Sequence, residues 1–437
     1  MTAEKILQID RTHIWHPYAS IVNPPPVEIA VRARGLEIEL ASGERLLDAV
    51  SSWWCVAHGH NHPAIVEAIR RQSEKMTHVM FGGFTHEPAA RLAERLAAFA
   101  PPGLDRVFFA DSGSIAVEVA TKMAVQYQHA LGRSRRTKLV ALKGGYHGDT
   151  VGAMALSDPD GMHTLFRGIM PQHFFAEQPR TRFDGVWQAE DFESLRQIVD
   201  RHSEQIAGII CEPVLQAANA MWHYHPQYLR EMRRLCDERG LLLIFDEIAA
   251  GFYRTGPRWA QNHASIRPDI MCVGKALTGG AITLAATLAD KNVAGTISAG
   301  TPGAFMHGPT YMANPLACAA ACSSLELFEN NDYETKVRGI ETLFKQGLAP
   351  LAALPNVRDV RVIGACGIVE TRRLPAPDDI RRVIHKHGVW LRPFSNFIYS
   401  FPPLVATEIE IRRIIDAIAE LAACPPGPVI DDGGFHE

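Results

Sequence analysis

Short apolar segments that end in a charged residue constrain the fold of this chain more than any other feature. Three of them end at Glu212, Asp246 and Lys275, in the segments AGIICE, LLLIFD and IMCVGK. Continuous apolar runs of strand length are typical of parallel strands buried on both faces, and helical segments separate them here. The sequence therefore predicts an α/β fold with a mostly parallel central sheet.

Glu212, Asp246 and Lys275 are predicted to meet at one edge of that sheet. The carboxyl ends of parallel strands lie together, and ligands of such sheets bind there. A lysine at the mouth of a buried strand can form a Schiff base with an aldehyde cofactor, and a surface lysine that simply ends the strand is the alternative. An aspartate after a buried apolar run requires a cationic partner, which a protonated pyridine nitrogen would supply.

Two turns beside other strands predict the rest of a cofactor site. From residue 106 the chain reads as a strand, an Asp-Ser-Gly-Ser turn at 111–114 and a helix. Backbone N–H groups, serine hydroxyls and the helix dipole converge there on an anion, although an ordinary N-capped helix is the alternative. The glycine-rich turn at 144–150 carries Tyr146, and its glycines allow close approach to a flat ligand. Neither a GxGxxG nor a Walker A motif occurs, so dinucleotides and nucleoside triphosphates lack support.

Two further features indicate a substrate pocket. Trp53 and Trp54, in the segment SSWWC, either cap a core or line a pocket, because adjacent tryptophans are costly to expose. Arg392 falls within GVWLRPFSNFIYSF, which reads as apolar strand, and a half-buried guanidinium is suited to a planar carboxylate. A structural salt bridge is the alternative for Arg392.

Composition narrows the classes of function. Over 437 residues the net charge is −4, which gives no basic surface for nucleic acid. No apolar run is long enough to span a bilayer and the N-terminus lacks a signal-peptide pattern, so we expect a cytoplasmic protein without a membrane partner. The eight cysteines form no zinc pattern, and the cluster HGHNH at 58–62 fits a loop, so we expect no metal.

The chain resembles the class III pyridoxal-phosphate aminotransferases of fold type I. The motifs that carry this resemblance are DSGS at 111–114, GGYHGDT at 144–150, FDEI at 245–248 and VGKALTGG at 273–280. The runs WHPY at 15–18, SSWW at 51–54 and HVMFGG at 78–83 resemble the branch of the family that serves biotin biosynthesis. The resemblance implies a large pyridoxal-phosphate domain over 61–320, a small α+β domain over 321–437, and an N-terminal segment, 1–60, that contributes to the small domain.

The same resemblance implies roles for individual residues. Lys275 would bind pyridoxal 5′-phosphate covalently and move protons, Asp246 would pair with its pyridinium nitrogen, and Tyr18 would complete the catalytic set. Glu212 would support the network around Asp246. The other cofactor contacts that it implies are Gly113, Ser114, Tyr146, Ile248, Pro309 and Thr310. Pro309 and Thr310, with Gly308, would come from the neighbouring subunit, which implies a homodimer with active sites at its interface.

Resemblance to the biotin branch also implies the substrates. S-adenosylmethionine and 8-amino-7-oxononanoate would bind in turn at one site, in a ping-pong reaction. Arg392 would bind the distal carboxylate of the keto acid. The further substrate contacts implied are Tyr18, Trp53, Trp54, Tyr146, Asp149, Arg254, Lys275, Gly308 and Tyr399.

Several positions depart from the family's pattern. The loop Gln216-Ala217-Ala218-Asn219-Ala220 lacks the glycines usual after Glu-Pro, which restricts its backbone. Ala250, Tyr253 and Leu404 stand where threonine, glycine and tyrosine are common. We expect these changes to surround the substrate side of the site and to bear on the choice of amino donor.

Three other functions are compatible with parts of this pattern. A class III aminotransferase acting on another ω-amine, such as ornithine, 4-aminobutyrate or a diamine, would share the whole cofactor side, and the SSWW, WHPY and Arg392 set argues against it. A non-enzymatic protein that only binds the cofactor is disfavoured by the intact pair of Lys275 and Asp246. A cofactor-dependent decarboxylase or racemase is compatible with the fold alone.

Overall fold

The computed structural model describes residues 1–218 and 221–427. In chain order its strands are β1 (Ala30–Arg34), β2 (Glu37–Leu40), β3 (Arg45–Asp48), β4 (Arg106–Ala110), β5 (Lys138–Leu142), β6 (Phe174–Ala176), β7 (Ile206–Cys211), β8 (Leu215–Gln216), β9 (Trp222–His223), β10 (Leu242–Asp246), β11 (Ile270–Val273), β12 (Ala285–Ala289), β13 (Val357–Ile363), β14 (Cys366–Thr371), β15 (Val389–Trp390) and β16 (Phe397–Ser400).

The central sheet has seven strands in the order β4-β12-β11-β10-β7-β5-β6. Its pairs β11–β10, β10–β7, β7–β5 and β5–β6 are parallel, whereas β12 runs antiparallel to both β11 and β4. The predicted α/β fold with a mostly parallel sheet is confirmed. Because β4, β5, β7, β10 and β11 share one direction, their carboxyl ends lie at one edge of the sheet.

Helices cover both faces of this sheet. The α-helices, apart from the short turns, are Ala3–His13, Pro63–Lys75, Glu87–Phe99, Gly113–Ala130, Glu193–His202, Gln227–Arg239, Lys291–Ala299, Pro315–Asn330, Tyr333–Leu348, Pro377–His387 and Glu408–Ala423. Along β10, Leu243 and Phe245 pack in one apolar cluster with Met232, while Ile244 packs in another with Val117. The continuous apolar run of this strand is thus explained by burial on both faces.

The N-terminal and C-terminal parts of the chain share a second sheet. Strands β1, β2 and β3 form an antiparallel meander, and β3 pairs in parallel with β15 through Leu47 with Val389 and Asp48 with Trp390. A third, antiparallel sheet is formed by β13, β14 and β16. No helix within the described ranges is both long and apolar enough to cross a bilayer.

Candidate active site

Lys275 follows Gly274, directly after the end of β11. Its backbone has a φ of 43°, and its Nζ atom lies 4.9 Å from the centroid of the Trp54 ring. Burial of the amine lowers the pKa of Lys275, and the nearby carboxylates of Asp246 and Glu212 only partly oppose this shift. A lowered pKa increases the fraction of unprotonated amine, which is the nucleophilic form.

Asp246 ends β10, one strand away from Lys275. Its Oδ2 atom lies 2.8 Å from Nδ1 of His147, and its Oδ1 atom accepts a hydrogen bond from the N–H of Ile248 at 3.1 Å. Burial acts to lower the pKa of His147, but the bond to Asp246 and the charge of Glu212 raise it above its usual value. The His147 side chain therefore supplies the buried Asp246 carboxylate with a hydrogen-bond partner.

Glu212 follows β7 at the same edge of the sheet. Its carboxylate accepts the N–H groups of Tyr146 at 2.9 Å and Ala217 at 3.0 Å. Burial raises the pKa of Glu212 to about 7, and the charge of Asp246 adds to that effect. Glu212 therefore fixes the turn that carries Tyr146. In the loop that lacks the family's glycines, Asn219 and Ala220 lie outside the described residues.

The helix Gly113–Ala130 points its N-terminus at this edge. Ser112 caps it by accepting from the N–H of Ile115 at 3.4 Å. A Cβ on Gly113 would lie 3.0 Å from Cδ1 of Ile248, so only glycine allows the helix to approach that side chain without displacement. The N–H groups of Gly113 and Ser114 are among the first of the helix and lack intrahelical partners, which makes this terminus suited to a phosphate.

A polar network closes the site on the side of Tyr146. Asp149 accepts a hydrogen bond from the hydroxyl of Tyr18 at 2.7 Å and one from Nε2 of His163 at 2.9 Å. The His163 ring is stacked with the ring of Tyr146, at 6.0 Å between centroids and an angle of 23°. Tyr18 thus reaches Asp149 from the N-terminal segment.

Trp53 and Trp54 place their rings beside two cations of this site. Trp54 is stacked on Phe401 at 5.0 Å and contacts Tyr399 edge-on at 6.3 Å, and burial raises the pKa of Tyr399 to about 12. The ring of Trp53 lies 4.8 Å from the guanidinium carbon of Arg392. The segment SSWW forms a single left-handed turn.

The setting of Arg392 differs from the sequence expectation. Arg392 does not lie within a strand but follows the two-residue strand β15 in an extended segment before β16. Pro393 comes next and cannot donate to a strand ladder, which explains why the strand ends early. Within the described residues no carboxylate pairs with Arg392, so its half-buried guanidinium is available for an anionic ligand.

Arg254, expected near the polar end of the substrate pocket, is buried. Its side chain is 1% exposed and donates to the carbonyl oxygens of Pro402 at 2.6 Å and Trp54 at 2.9 Å. Burial lowers the pKa of Arg254 to about 10. The guanidinium therefore joins two backbone segments through Nη1 and Nη2, while its buried Nε has no hydrogen-bond partner among the described residues.

Three of the positions that depart from the family's pattern are buried in the core. Tyr253 is stacked with Tyr333 at 5.9 Å in a buried aromatic cluster, where an extra ring adds packing. Leu404 is fully buried and its N–H donates to the carbonyl of Ala57. Ala250 is 1% exposed in the core beside the sheet. Each change therefore alters the packing of an apolar cluster.

Gly308, Pro309 and Thr310 belong to a surface segment. Gly308 and Thr310 are exposed in the single chain, and the carbonyl of Pro309 accepts from the N–H of Met312 at 3.1 Å. Among the described residues, no hydrogen bond or ring contact joins these three to Lys275 or Asp246.

The histidines of HGHNH all have structural partners. His58 is bonded to the hydroxyls of Tyr333 and Ser324, His60 to the carboxylate of Asp48, and His62 caps the helix that begins at Pro63. Over residues 1–218 and 221–427, no three potential ligands are grouped as a metal site would require.

The donor set at this edge suits an aromatic aldehyde phosphate. A desolvated amine, a buried carboxylate for a ring nitrogen, and a helix N-terminus for a phosphate lie at the ends of neighbouring strands and on the adjoining turn. Tyr146 and Ile248 lie on this edge as well. The residues present therefore fit pyridoxal phosphate.

Comparison with known proteins agrees with this geometry. The chain matches the family model described as aminotransferase class-III over residues 19–421. It belongs to the class-III aminotransferases. An adenosylmethionine-8-amino-7-oxononanoate aminotransferase from Buchnera aphidicola subsp. Schizaphis graminum is 46% identical over 410 residues, which cover 94% of this chain and 95% of that protein.

Solved structures extend the comparison. The adenosylmethionine-8-amino-7-oxononanoate aminotransferase from Methanocaldococcus jannaschii superimposes with a TM-score of 0.90 at 32% identity, covering 97% of this chain and 99% of that chain. An amine transaminase from an uncultivated Pseudomonas species, solved in its PLP-bound form, gives 0.87 at 31% identity and covers 94% and 99%. This aminotransferase therefore uses pyridoxal phosphate.

Three residues of this site were not predicted from the sequence. His147 lies in the GGYHGDT motif beside Tyr146, so the motif itself could have revealed it. His163 and Asp48 lie in segments without a motif, and only the folded chain shows that they bind Asp149 and the SSWW turn.

Proposed function

We propose that this aminotransferase transfers the amino group of S-adenosylmethionine to 8-amino-7-oxononanoate, giving 7,8-diaminononanoate in biotin biosynthesis. The single observation that carries the proposal is the pairing of two cations with two adjacent rings. Lys275 lies against Trp54, and Arg392, which has no carboxylate partner among the described residues, lies against Trp53. The reacting amine of Lys275 and the guanidinium that would bind a carboxylate thus lie against two neighbouring tryptophans of one turn.

The cofactor side has four tasks, each with its own residues. Pyridoxal phosphate supplies an electron sink when it is bound. The Nζ atom of Lys275 holds or releases the transferred proton, and the carboxylate of Asp246 keeps a negative charge at the ring nitrogen. The N–H groups of Gly113 and Ser114 would hold the phosphate. Tyr146 and Ile248 would pack against the cofactor ring.

The substrate side combines aromatic walls with two polar ends. Tyr18, Trp53, Trp54 and Tyr399 form the walls, which suit an alkyl chain, a sulfonium or an adenine. Arg392 binds the distal carboxylate of the keto acid, because a guanidinium is matched to a planar anion. Asp149 accepts hydrogen bonds from the substrate amine at the other end, and Arg254 acts by holding Trp54 from beneath.

A second copy of the chain completes the site. Gly308, Pro309 and Thr310 reach the phosphate of the opposite subunit in a two-fold homodimer. Apolar side chains are exposed on the single chain beside this segment and in the N-terminal segment, as a large subunit interface requires: Trp15, Tyr18, Met80, Phe84, Met306 and Tyr311.

We propose the two units expected from the sequence, a small unit of residues 1–60 with 321–437 and a large unit of residues 61–320. The pairing of β3 with β15 supports placing the N-terminal residues in the small unit. The eight cysteines are unpaired, which favours a reducing compartment, and we assign the protein to the cytoplasm.

A half-reaction titration tests the proposed substrates. S-adenosylmethionine is added to the purified holoenzyme and the visible spectrum of the bound cofactor is followed. The titration is repeated with lysine, ornithine and 4-aminobutyrate as alternative amino donors. The proposal requires amination by S-adenosylmethionine that 8-amino-7-oxononanoate reverses. Lys275→Ala is the control, since it should keep fold and dimer while losing turnover.

Amination by a different amine alone would contradict the proposed donor. It would identify the chain as an aminotransferase that acts on another ω-amine. Turnover like that of the wild type in Lys275→Ala would overturn the role of Lys275.

A further inference from the structure

The turn Ser51–Trp54 has a backbone conformation that its residues disfavour. The φ angles of Ser51, Ser52, Trp53 and Trp54 are 47°, 46°, 61° and 71°. The N–H of Trp54 donates to the carbonyl of Val50 at 2.9 Å, so the four residues close one left-handed helical turn. Left-handed backbone is unfavourable for any residue with a Cβ atom, and successive residues of this kind are rare. Such strain persists only where surrounding contacts hold it.

This turn sets the direction of two rings in the site. With left-handed backbone, Trp53 points to Arg392 and Trp54 to Lys275, at 4.8 Å and 4.9 Å. A right-handed turn of the same residues would send the side chains in other directions, because the Cβ position depends on φ and ψ. The placement of the carboxylate receptor against its aromatic wall therefore depends on the handedness of four residues.

Asp48 is the residue that holds the turn from within. It is fully buried, and its carboxylate accepts from the N–H of Val50 at 3.2 Å and from the hydroxyl of Ser52 at 2.7 Å. The Nε2 atom of His60 lies 2.9 Å from the same carboxylate and donates to it. On the other side, the hydroxyl of Ser51 donates to the carbonyl of Phe401 at 2.6 Å.

We propose that Asp48 and His60 are positioning residues for substrate recognition, and that they act by keeping the turn Ser51–Trp54 left-handed. The Asp48 carboxylate accepts hydrogen bonds from Val50, just before the turn, and from Ser52, inside it. His60 holds that carboxylate in place through a third hydrogen bond. The inference rests on the proposed function, because it assigns the binding of the keto acid's carboxylate to the surface that this turn shapes.

Two substitutions of Ser52 separate backbone strain from hydrogen bonding. Both Ser52→Ala and Ser52→Gly delete the hydroxyl bonded to Asp48, but only glycine adopts left-handed backbone without cost. We expect Ser52→Ala to raise the KM for the keto acid about tenfold, and Ser52→Gly to raise it at least about threefold less. In most helical turns glycine is the more disruptive of the two, so this order is specific to the proposal.

Ser265 provides a matched control for these variants. It is an exposed serine with a φ of 52° in the loop before β11, whereas Lys275 follows the other end of that strand. Ser265→Gly should have a higher thermal midpoint than Ser265→Ala, because its backbone is also left-handed. Both variants should leave the KM of both substrates unchanged. His60→Ala and His60→Gln form a second pair, in which the amide of glutamine can donate to Asp48 and should recover most of the loss in KM.

Equal KM values for Ser52→Ala and Ser52→Gly would overturn the proposal, and so would changes confined to the thermal midpoint. The kinetics are measured with the substrate pair that the wild type accepts. If the wild type rejects S-adenosylmethionine, the proposed function fails, while the order of the two Ser52 variants on the accepted pair still decides this inference.

Discussion

The Oδ2 atom of Asp246 lies 2.8 Å from Nδ1 of His147, and both side chains are almost completely buried at the carboxyl edge of the sheet. Asp246 comes from the end of β10, whereas His147 comes from the glycine-rich turn after β5. The bond therefore joins the strand that presents the carboxylate to the turn that presents Tyr146. A change at His147 should affect the charge and the position of Asp246 together.

His147→Gln is expected to weaken the binding and use of the cofactor. The substitution removes the ring that partners a buried carboxylate, and loss of one partner of such a pair is costly. We expect kcat to fall on the order of 10–100-fold, and the affinity of the apoprotein for pyridoxal phosphate to fall as well. The control is His202→Gln, because His202 ends the helix that precedes β7 and so lies near the amino end of that strand. Unchanged cofactor affinity in His147→Gln would show that Asp246 is held by its other contacts.

The strands of the central sheet were predictable because their pattern is local. The run LLLIFD predicts a strand over 241–246, and the structure has one at Leu242–Asp246. Burial on both faces favours apolar residues at successive positions, so the four residues 242–245 carry the signal before Asp246 ends the strand. The position of Lys275 at the end of β11 follows from the same reasoning.

The left-handed turn and the environment of Tyr253 were not predictable in this way. The turn at 51–54 is held by bonds from Asp48, Arg254 and the carbonyl of Phe401, which are up to 350 residues away in sequence. Tyr253 reads as a change beside the substrate because it precedes Arg254. It packs instead on Tyr333, and no local pattern reports such a contact.

Arg392→Ala should impair one half-reaction more than the other. If Arg392 binds the distal carboxylate of the keto acid, its removal should raise the KM for that substrate on the order of 10–100-fold, because a charged hydrogen bond is lost. The half-reaction with S-adenosylmethionine should change little. Arg392→Lys should recover only part of the loss, since an ammonium cannot form two parallel bonds to a carboxylate. Equal damage to both half-reactions would identify Arg392 as structural.

Glu247 should make the stability of the protein depend on pH. Its carboxylate is fully buried and accepts the N–H groups of Ala260 and Gln261, and burial raises its pKa to about 8. The folded protein therefore holds a proton that the unfolded chain releases near its usual pKa. Stability from this group is present at pH below the unfolded value and is lost as the pH rises towards 8.

Chemical denaturation of wild type and Glu247→Gln at several pH values measures this contribution. Glutamine does not titrate, and its amide nitrogen cannot accept either of the two backbone N–H groups that Glu247 accepts, so the variant should be the less stable protein at pH 5. The difference in unfolding free energy should shrink by on the order of 1–3 kcal/mol between pH 5 and pH 8. A difference that grows with pH would mean that the folded protein prefers the ionised carboxylate.

Hybrid dimers test whether Thr310 acts across the subunit interface. Lys275→Ala removes the reacting amine, and Thr310→Asp places a negative charge where a phosphate should bind, so each homodimer is expected to be inactive. A heterodimer of the two variants, isolated through two affinity tags, should recover about half of the wild-type activity. One of its sites combines both defects, while the other combines an intact Lys275 with an intact Thr310.

The reciprocal hybrid fixes the interpretation. Pairing the double variant Lys275→Ala/Thr310→Asp with wild type places one defect in each site if Thr310 acts in trans, so that dimer should be inactive. If Thr310 instead serves the site of its own chain, the expected results are reversed. The reciprocal hybrid then keeps one intact site, and the first hybrid has none. Because both dimers carry the same two substitutions in the same number, a difference between them reports only which subunit contributes Thr310 to each site.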